Sequence, residues 1–110
     1  MRCMMKVSIP VDHGNEAARE GSLGSTIDSI CAELKPEAAY FTAERGQRGC
    51  FLFFDLKDSS QIPGIAEPWF LAFNAQVEIQ PCMNSEDLRK AAPGIERAAK
   101  SYRSALRRAA

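Results

Sequence analysis

Residues 50–56 read CFLFFDL, and this segment restricts the possible folds more than any other part of the chain. It has the length of a strand, and side chains along a strand point alternately to the two faces of a sheet. Apolar side chains occupy both sets of positions, so neither face can be left exposed to water. The segment therefore predicts a strand in a sheet that is covered on both sides.

Three further segments show the two-residue period of a strand. They are residues 5–11 (MKVSIPV), residues 38–44 (AAYFTAE) and residues 75–81 (AQVEIQP). Residues 45–49 (RGQRG) separate two of the predicted strands and contain two glycines, which predicts a hairpin turn. We therefore expect four strands in one sheet.

Apolar residues with helical spacing fill the two longer intervals between these strands. One helix is predicted to end before Pro36, and a second is predicted to begin after the capping residue Asp58. Pro68 lies inside the second helix and is expected to kink or split it, because proline lacks the N–H that the preceding turn needs. Residues 12–15 are expected to form a loop, and residues 16–20 no more than one helical turn.

The order of elements, β-α-β-β-α-β followed by a helical tail, is the pattern of the ferredoxin-like α+β fold. Right-handed crossovers place the first and third strands in the middle of an antiparallel sheet, in the order 4-1-3-2. A length of 110 residues fits one domain. We expect residues 1–88 to form this α+β domain and residues 89–110 to be a basic C-terminal helical extension of it.

Helices in this fold cover only one face of the sheet. Alternation along the strands is expected to bring apolar side chains to that face, namely Val7, Ile9, Val11, Phe41, Val77 and Ile79. The other face needs a cover too, because the third strand is apolar on both sides. A second copy of the chain is the simplest cover, which predicts a homodimer.

The charges of the chain are balanced in number but not in position. Residues 89–110 contain seven basic residues and one acidic residue, a net charge of +6, which leaves −6 on residues 1–88. We expect the tail to dock through its apolar side chains on an acidic surface of this chain or of its partner. An acidic body of equal charge favours this docking over a nucleic-acid partner or an anionic membrane.

The cysteines and the single histidine predict neither a metal site nor a cofactor. Cys3, Cys31, Cys50 and Cys82 form no CxxC pair, and His13 is near none of them in sequence. No signal peptide and no apolar run of about 18 residues is present. The sequence therefore predicts a cytoplasmic protein with free thiols and without a membrane-spanning helix.

The motifs MKVSIPV, FLFFDLKD and VEIQPCMNSEDL resemble the dimeric α/β-barrel superfamily, and in particular its small uncharacterised ferredoxin-like members. The resemblance covers residues 5–88 and implies a homodimer joined through the uncovered faces of the two sheets. Relatives include cofactor-free monooxygenases, ring-lactone isomerases, haem-binding enzymes and stress-response proteins. Haem-degrading relatives use a helical tryptophan near a histidine; Trp69 matches the tryptophan, but its helix has no histidine, so haem is not implied.

Alternation along the strands also predicts a candidate ligand site on the uncovered face. The expected ligand-binding residues are polar or aromatic, namely Ser8, Tyr40, Thr42 and Glu78 on the strands, with Trp69 and Asn74 at the mouth of the cavity. If Glu78 is buried, Lys6 on the neighbouring strand is its expected partner. The same strand residues could instead form the polar part of the dimer interface, and Trp69 could simply be a core residue.

Two residues are candidates for catalysis. His13 follows Asp12, and a neutral imidazole there could act as a general base, although a solvated loop histidine fits the same pattern. Tyr40 could donate a hydrogen bond to a carbonyl or hydroxyl group of a ligand. Arg45 and Arg48 at the hairpin could bind an anion or could only protect the edge of the sheet.

The function predicted from the sequence is the binding of a small molecule in a cavity between sheet and helices. One alternative is a cofactor-free monooxygenase or isomerase acting on a small, partly aromatic substrate. Another is a structural or interaction module with no ligand. A turnover that requires His13 or Tyr40 would indicate the enzyme, whereas a cavity filled by side chains would indicate the module.

Overall fold

The computed structural model describes residues 1–109, and the side chains of residues 1–103. Four strands and five α-helices lie within the described residues. In chain order they are β1 (Arg2–Ile9), α1 (Val11–Glu20), α2 (Leu23–Leu34), β2 (Ala38–Glu44), β3 (Gln47–Asp55), α3 (Ile62–Phe73), β4 (Gln76–Pro81), α4 (Ser85–Lys90) and α5 (Ala92–Ala109). A short 3₁₀ turn, Ser59–Gln61, precedes α3.

The strands form one antiparallel sheet in the order β2-β3-β1-β4. This confirms the predicted order, with the first and third strands in the middle. Met5 lies opposite Leu52 on one side and Ile79 on the other, whereas Lys6 lies opposite Phe51 and Glu78. Because side chains alternate along each strand, these two rows belong to opposite faces of the sheet.

The hydrophobic core lies on the face where Met5 points. Alternate residues of β1 and β3 are buried there, namely Cys3, Met5, Val7, Ile9, Cys50, Leu52 and Phe54. Helices α1, α2 and α3 cover this face and contribute Ala17, Ile30, Trp69 and Phe73 to the same cluster. Phe41 shares the face by register, but it is 56% exposed because the helices do not cover β2 at this point.

The opposite face carries none of these three helices, and we call it the open face. Most of its side chains are polar or aromatic, and Met4 is aliphatic. They include Met4, Lys6, Ser8, Tyr40, Thr42, Phe51, Phe53, Gln76, Glu78 and Gln80. Phe51 and Phe53 are only partly buried, so the apolar character of β3 extends to both sides of the sheet, as the sequence predicts.

The first strand and the first helix differ from the sequence prediction. β1 begins at Arg2 and ends at Ile9, Pro10 is the residue before α1, and Val11 belongs to the helix, where it is 45% exposed. The predicted loop and single turn are a ten-residue helix. Gly14 occurs inside it because a Cβ atom there would lie 2.7 Å from the Arg48 guanidinium, so the glycine permits close packing on β3.

Pro68 lies inside α3, where the sequence predicts a kink or a split. Helix α3 runs without interruption from Ile62 to Phe73, so Pro68 does not split it. The helix is preceded by the predicted cap, because the Asp58 carboxylate accepts hydrogen bonds from the N–H and the hydroxyl of Ser60.

The C-terminal helix α5 lies apart from the sheet and its covering helices. All side chains from residue 92 to residue 103 are exposed. The expected docking of this tail on an acidic surface of its own chain is therefore not observed, while docking on a partner stays a prediction. None of the helices in residues 1–109 combines the length and the apolar character needed to cross a membrane.

Candidate functional site

The open face contains a polar cleft of about 250 Å³ at the end of the sheet near the β2–β3 hairpin. Its lining is formed by Lys6, Ser8, Glu44, Arg45, Gln47, Gln76 and Glu78. The hairpin turn itself holds Arg45 and Gly46, both with positive φ, as a two-residue turn between strands requires. This turn pairs Glu44 with Gln47 and brings both side chains beside the central strand.

Two close contacts order the floor of the polar cleft. The Ser8 hydroxyl donates a hydrogen bond of 2.8 Å to Gln47 Oε1. Lys6 Nζ lies 2.7 Å from Glu44 Oε1, and both side chains are partly buried. The expected partner of Lys6 was Glu78, which lies opposite it in the register but is exposed to water and needs no partner. Lys6 is therefore held by the edge of the hairpin rather than by β4.

The four strand residues that the sequence predicts for the site do share the open face. Thr42, Gly49 and Ser8 form one row across the sheet, and Tyr40, Phe51, Lys6 and Glu78 form the next row. Gly49 carries no side chain, so the space between Thr42 and Ser8 is left open. Tyr40 lies two strands from Lys6, a distance of roughly 10 Å at ordinary strand spacing.

Aromatic side chains form the apolar wall beside the polar cleft. Tyr40 is 64% exposed and packs edge-on against Phe53, with ring centroids 6.4 Å apart. Within residues 1–103, no group accepts a hydrogen bond from the Tyr40 hydroxyl. The phenol is thus available to a ligand or to another protein surface, as the sequence analysis expected.

A larger cleft of about 710 Å³ lies at the opposite end of the open face. Its lining includes Arg2, Glu37, Asp55, Pro81, Cys82, Met83 and Asp87. Arg2 Nε donates to Glu37 Oε1 at 2.6 Å, and its Nη1 atom lies 3.7 Å from Asp87 Oδ2. The hydrogen bond from Arg2 to Glu37 and its charge raise the pKa of the guanidinium. The sequence prediction does not include this cleft, because the predicted first strand begins at residue 5, whereas the alternation continues back to Arg2.

His13, Trp69 and Asn74 do not join these residues, because all three lie on the side of the sheet covered by helices. Trp69 is fully buried in the core, and its indole N–H has no partner within residues 1–103. Asn74 is the exposed residue that ends α3, with φ of 53°. The predicted site therefore divides into two groups separated by the sheet.

His13 lies on α1, where its Nδ1 atom is 3.1 Å from Asp12 Oδ1. The hydrogen bonds from the ring and the backbone N–H of His13 lower the pKa of Asp12. His13 also lines a surface cleft of about 280 Å³ with Glu16, Glu20 and Phe73. Because this cleft faces away from Tyr40, the two candidate catalytic residues do not form one acid–base pair.

Neither hairpin arginine forms the anion site considered for residues 45–49. Arg45 is exposed at the turn and lies 3.8 Å from Glu44 Oε1. Arg48 points to the other face and donates a hydrogen bond of 3.1 Å to Asn15 Oδ1. Among the described residues, no group of three or more histidine, cysteine, aspartate or glutamate side chains could hold a metal ion.

Comparison with known proteins gives a family without an assigned reaction. No curated protein matches the chain. A crystal structure of a formyltetrahydrofolate deformylase from Pseudomonas putida KT2440 is similar over 74% of this chain and 29% of that one, with 14% sequence identity and a TM-score of 0.48. This chain thus spans less than a third of that structure, and the similarity is too low to carry over any property of that enzyme. The family model described as a domain of unknown function (DUF3303) matches residues 1–96, and the chain therefore belongs to this family.

Proposed function

We propose that this protein binds a small polar molecule on its open face and that two copies, each ferredoxin-like, close the site between their sheets. The observation that carries the proposal is the polar cleft, whose floor is ordered by the contacts of Ser8 with Gln47 and of Lys6 with Glu44. Ordered polar groups beside an apolar wall are what a ligand site needs for orientation and affinity.

The composition of the cleft restricts the chemistry of the ligand. Gln47 and Gln76 offer both amide donors and amide acceptors, while Lys6 and Glu78 offer one charge of each sign. Such a lining suits a small molecule that has donors and acceptors, rather than a strongly charged anion. An aromatic or aliphatic portion of the ligand would then extend along Phe51 towards Tyr40.

The size of the cleft supports the participation of a second chain. A volume of about 250 Å³ is slightly smaller than that of a usual ligand site, roughly 300–1,000 Å³, and the cleft is open to water. Burial of an aromatic and an aliphatic side chain of the open face on each copy, such as Phe53 and Met4, is worth roughly 3–6 kcal/mol before the costs of association. A face-to-face dimer would therefore supply both a lid for the ligand and a cover for the aromatic side chains.

Of the two positions considered from the sequence, the open face suits a ligand better than the space between sheet and helices. The space between sheet and helices is filled by core side chains, among them Trp69, Phe73 and Leu52, each almost completely buried. A ligand is therefore accommodated more easily on the other side of the sheet.

The four thiols, which form no disulfide, support a reducing, cytoplasmic location for this activity.

The second candidate function is an interaction module whose open face binds another protein surface and no ligand. The exposure of Tyr40 and its edge-on contact with Phe53 favour this candidate, since an exposed aromatic pair serves a protein interface equally well. A cofactor-free monooxygenase or isomerase is favoured less, because His13 and Tyr40 lie on opposite sides of the sheet.

A thermal-shift screen of the full chain separates the two candidates. The panel should contain small hydroxy acids, amides and phenols. A ligand that binds the folded state raises the melting temperature, and the rise grows with the logarithm of the ligand concentration above its dissociation constant. Ser8→Ala removes a hydroxyl from the cleft floor and should weaken the binding of any hit by about fivefold to tenfold. Ser25→Ala on α2 is the matched control and should bind the hit as the unchanged chain does. If no compound stabilises the chain, or if both variants bind equally well, the proposed ligand site is wrong and the interaction module remains.

A further inference from the structure

Helix α5 presents an apolar stripe that no part of residues 1–103 covers. Ile95 is 58% exposed and Tyr102 is 75% exposed, and helical spacing places Ala98 and Ala99 on the same side. Arg97 lies on the opposite, basic side of the helix. An amphipathic helix of this kind gains most of its stability by packing its apolar side against another surface.

The surface of matching charge is the helical layer formed by α1, α2 and α3. These helices contact one another over the core face of the sheet and contain six acidic residues against one basic residue, Arg19, a net charge of −5. The acidic residues are exposed and comprise Asp12, Glu16, Glu20, Asp28, Glu33 and Glu67. The tail, residues 89–110, carries +6.

The carboxylates of the helical layer have no lysine or arginine partner among residues 1–103. On the open face and at its ends, by contrast, Glu44 is paired with Lys6, and Glu37 with Arg2. In the helical layer only Asp12 has an ion-pair contact, with His13, and no lysine or arginine of residues 1–103 lies within ion-pair distance of the six. The layer therefore carries a net negative charge that no basic side chain of the described residues offsets through a close contact.

The helical layer has apolar side chains for the stripe to contact. On the outer side of α3, Leu71 is 83% exposed and Phe70 is 41% exposed. Both lie one helical turn from Glu67, so an apolar patch and a carboxylate occur together. On α5, Arg103 lies beside the apolar stripe, four residues from Ala99, so the arm is complementary to such a surface in both respects.

We propose that α5 is an arm that docks on the acidic helical layer of a second copy of this chain. The arm is about 27 Å long at the rise of an α-helix, and its described side chains remain exposed in a single copy. Each arm has a footprint of about 27 Å by 10 Å on the surface that it contacts. For two exchanged arms, with both surfaces of each contact counted, the buried area is roughly 1,100 Å². This just exceeds the area of about 1,000 Å² that a specific interface needs. This contact uses the opposite side of the molecule from the open face, so it does not depend on the proposed ligand site.

Charge-reversal variants of the full chain test this arm. Arg103→Glu reverses a charge beside the apolar stripe of the arm, and Lys57→Glu makes the same change of net charge elsewhere. Hydrogen exchange of the backbone amides in residues 92–103 should be slow at high protein concentration and faster on dilution. The arm variant should weaken this protection, with an apparent dissociation constant roughly threefold to tenfold higher, and the control should retain it.

A charge swap makes the test specific for the helical layer. Glu16→Lys combined with Glu20→Lys should weaken the protection in the otherwise unchanged chain and should restore it in the chain that carries the reversed arm. Protection that does not depend on concentration would mean that the arm docks on its own chain and would overturn the proposal. Absence of protection at every concentration, or protection that arises only with vesicles of anionic lipid, would overturn it as well.

Discussion

Gly49 lies in β3 near the hairpin end of the sheet, between Ser8 of β1 and Thr42 of β2. A Cβ atom at this position would lie 2.8 Å from the carbonyl oxygen of Val7, a backbone atom that cannot move without disturbing the central strand. The residue also keeps the open face free of a side chain between Thr42 and Ser8. One small residue thus serves the packing of the strands and the shape of the polar cleft.

Gly49→Ala should therefore lower the free energy of unfolding by roughly 1–3 kcal/mol, measured by denaturant unfolding. Gly24→Ala is the matched control, since no atom lies within 4 Å of a Cβ at that helical position. The control should raise the free energy of unfolding by about 0.5–1 kcal/mol, because alanine favours a helix over glycine. Equal effects of the two substitutions would contradict the close contact at Gly49.

Cys50 should be the least reactive of the cysteines in the folded chain. Burial, followed by the neighbouring Cys31 thiol, raises the pKa of Cys50 from its ordinary 9.0 to about 12. Only the thiolate reacts, and this shift leaves about a thousandfold less of it near pH 8. Iodoacetamide should therefore label the partly exposed Cys82 long before Cys50, and both at similar rates after unfolding. Equal labelling of the two in the folded chain would show that the strand opens readily.

The sequence predicts only those parts of the candidate site in which side chains alternate between the two faces of a strand. Parity along a strand determines the face of each residue, so Ser8, Tyr40 and Glu78 were assigned to one surface. No such rule relates a helix residue to a strand residue, so the sequence left Trp69 either at the mouth of a cavity or in the core, and the structure places it in the core. The contact of Lys6 with Glu44 was missed because the two residues lie in different rows of the register and on strands that are not neighbours in the sheet.

At the scale of elements, the turn that starts α3 is held by a charged cap. The Asp58 carboxylate accepts hydrogen bonds from Ser60, and the Gln61 side chain accepts one from the Asp58 N–H in return. These hydrogen bonds from Ser60 lower the pKa of Asp58 below its ordinary 3.8. A carboxyl group with a lowered pKa in the folded state stabilises that state while it is ionised, and this contribution is lost as the pH falls through the lowered pKa.

Asp58→Ala should consequently lower the melting temperature at neutral pH. The difference from the unchanged chain should shrink as the pH is brought below 3.8, because both chains then lack an ionised cap. Ser59→Ala in the same turn has no capping hydrogen bond to lose and is the control. A difference that stays constant with pH, measured by thermal unfolding, would mean that the charge of the cap contributes nothing.

Among the elements, the strands followed from the sequence and the first helix did not. The strand order was predicted because crossover handedness leaves few arrangements for this sequence of elements. Helix α1 was missed because Pro10 and Gly14 normally interrupt helices, yet here the proline precedes the first turn and the glycine permits contact with Arg48. Whether such residues break a helix depends on packing partners distant in sequence, which local patterns do not reveal.

For the molecule as a whole, the open face should join two copies. In high salt, where the charge contacts of α5 are screened, light scattering should give twice the chain mass of 12.1 kDa at micromolar concentration. Tyr40→Glu places a charge on the open face and should halve the mass under the same conditions. Phe41→Glu is the matched control, because Phe41 is a similarly exposed aromatic residue of the same strand on the opposite face. A mass of one chain for the unchanged protein in high salt would exclude the open-face dimer.

The strict alternation of buried and partly exposed residues in β1 has a consequence for how such proteins can diversify. Cys3, Met5, Val7 and Ile9 maintain the core, while the residues between them contribute only to the open face. A substitution at position 6 or 8 therefore changes what the face recognises and leaves the packing beneath it intact. Related chains can acquire different ligands or interfaces by exchanging even-numbered residues of this strand, without first acquiring extra stability to tolerate the change.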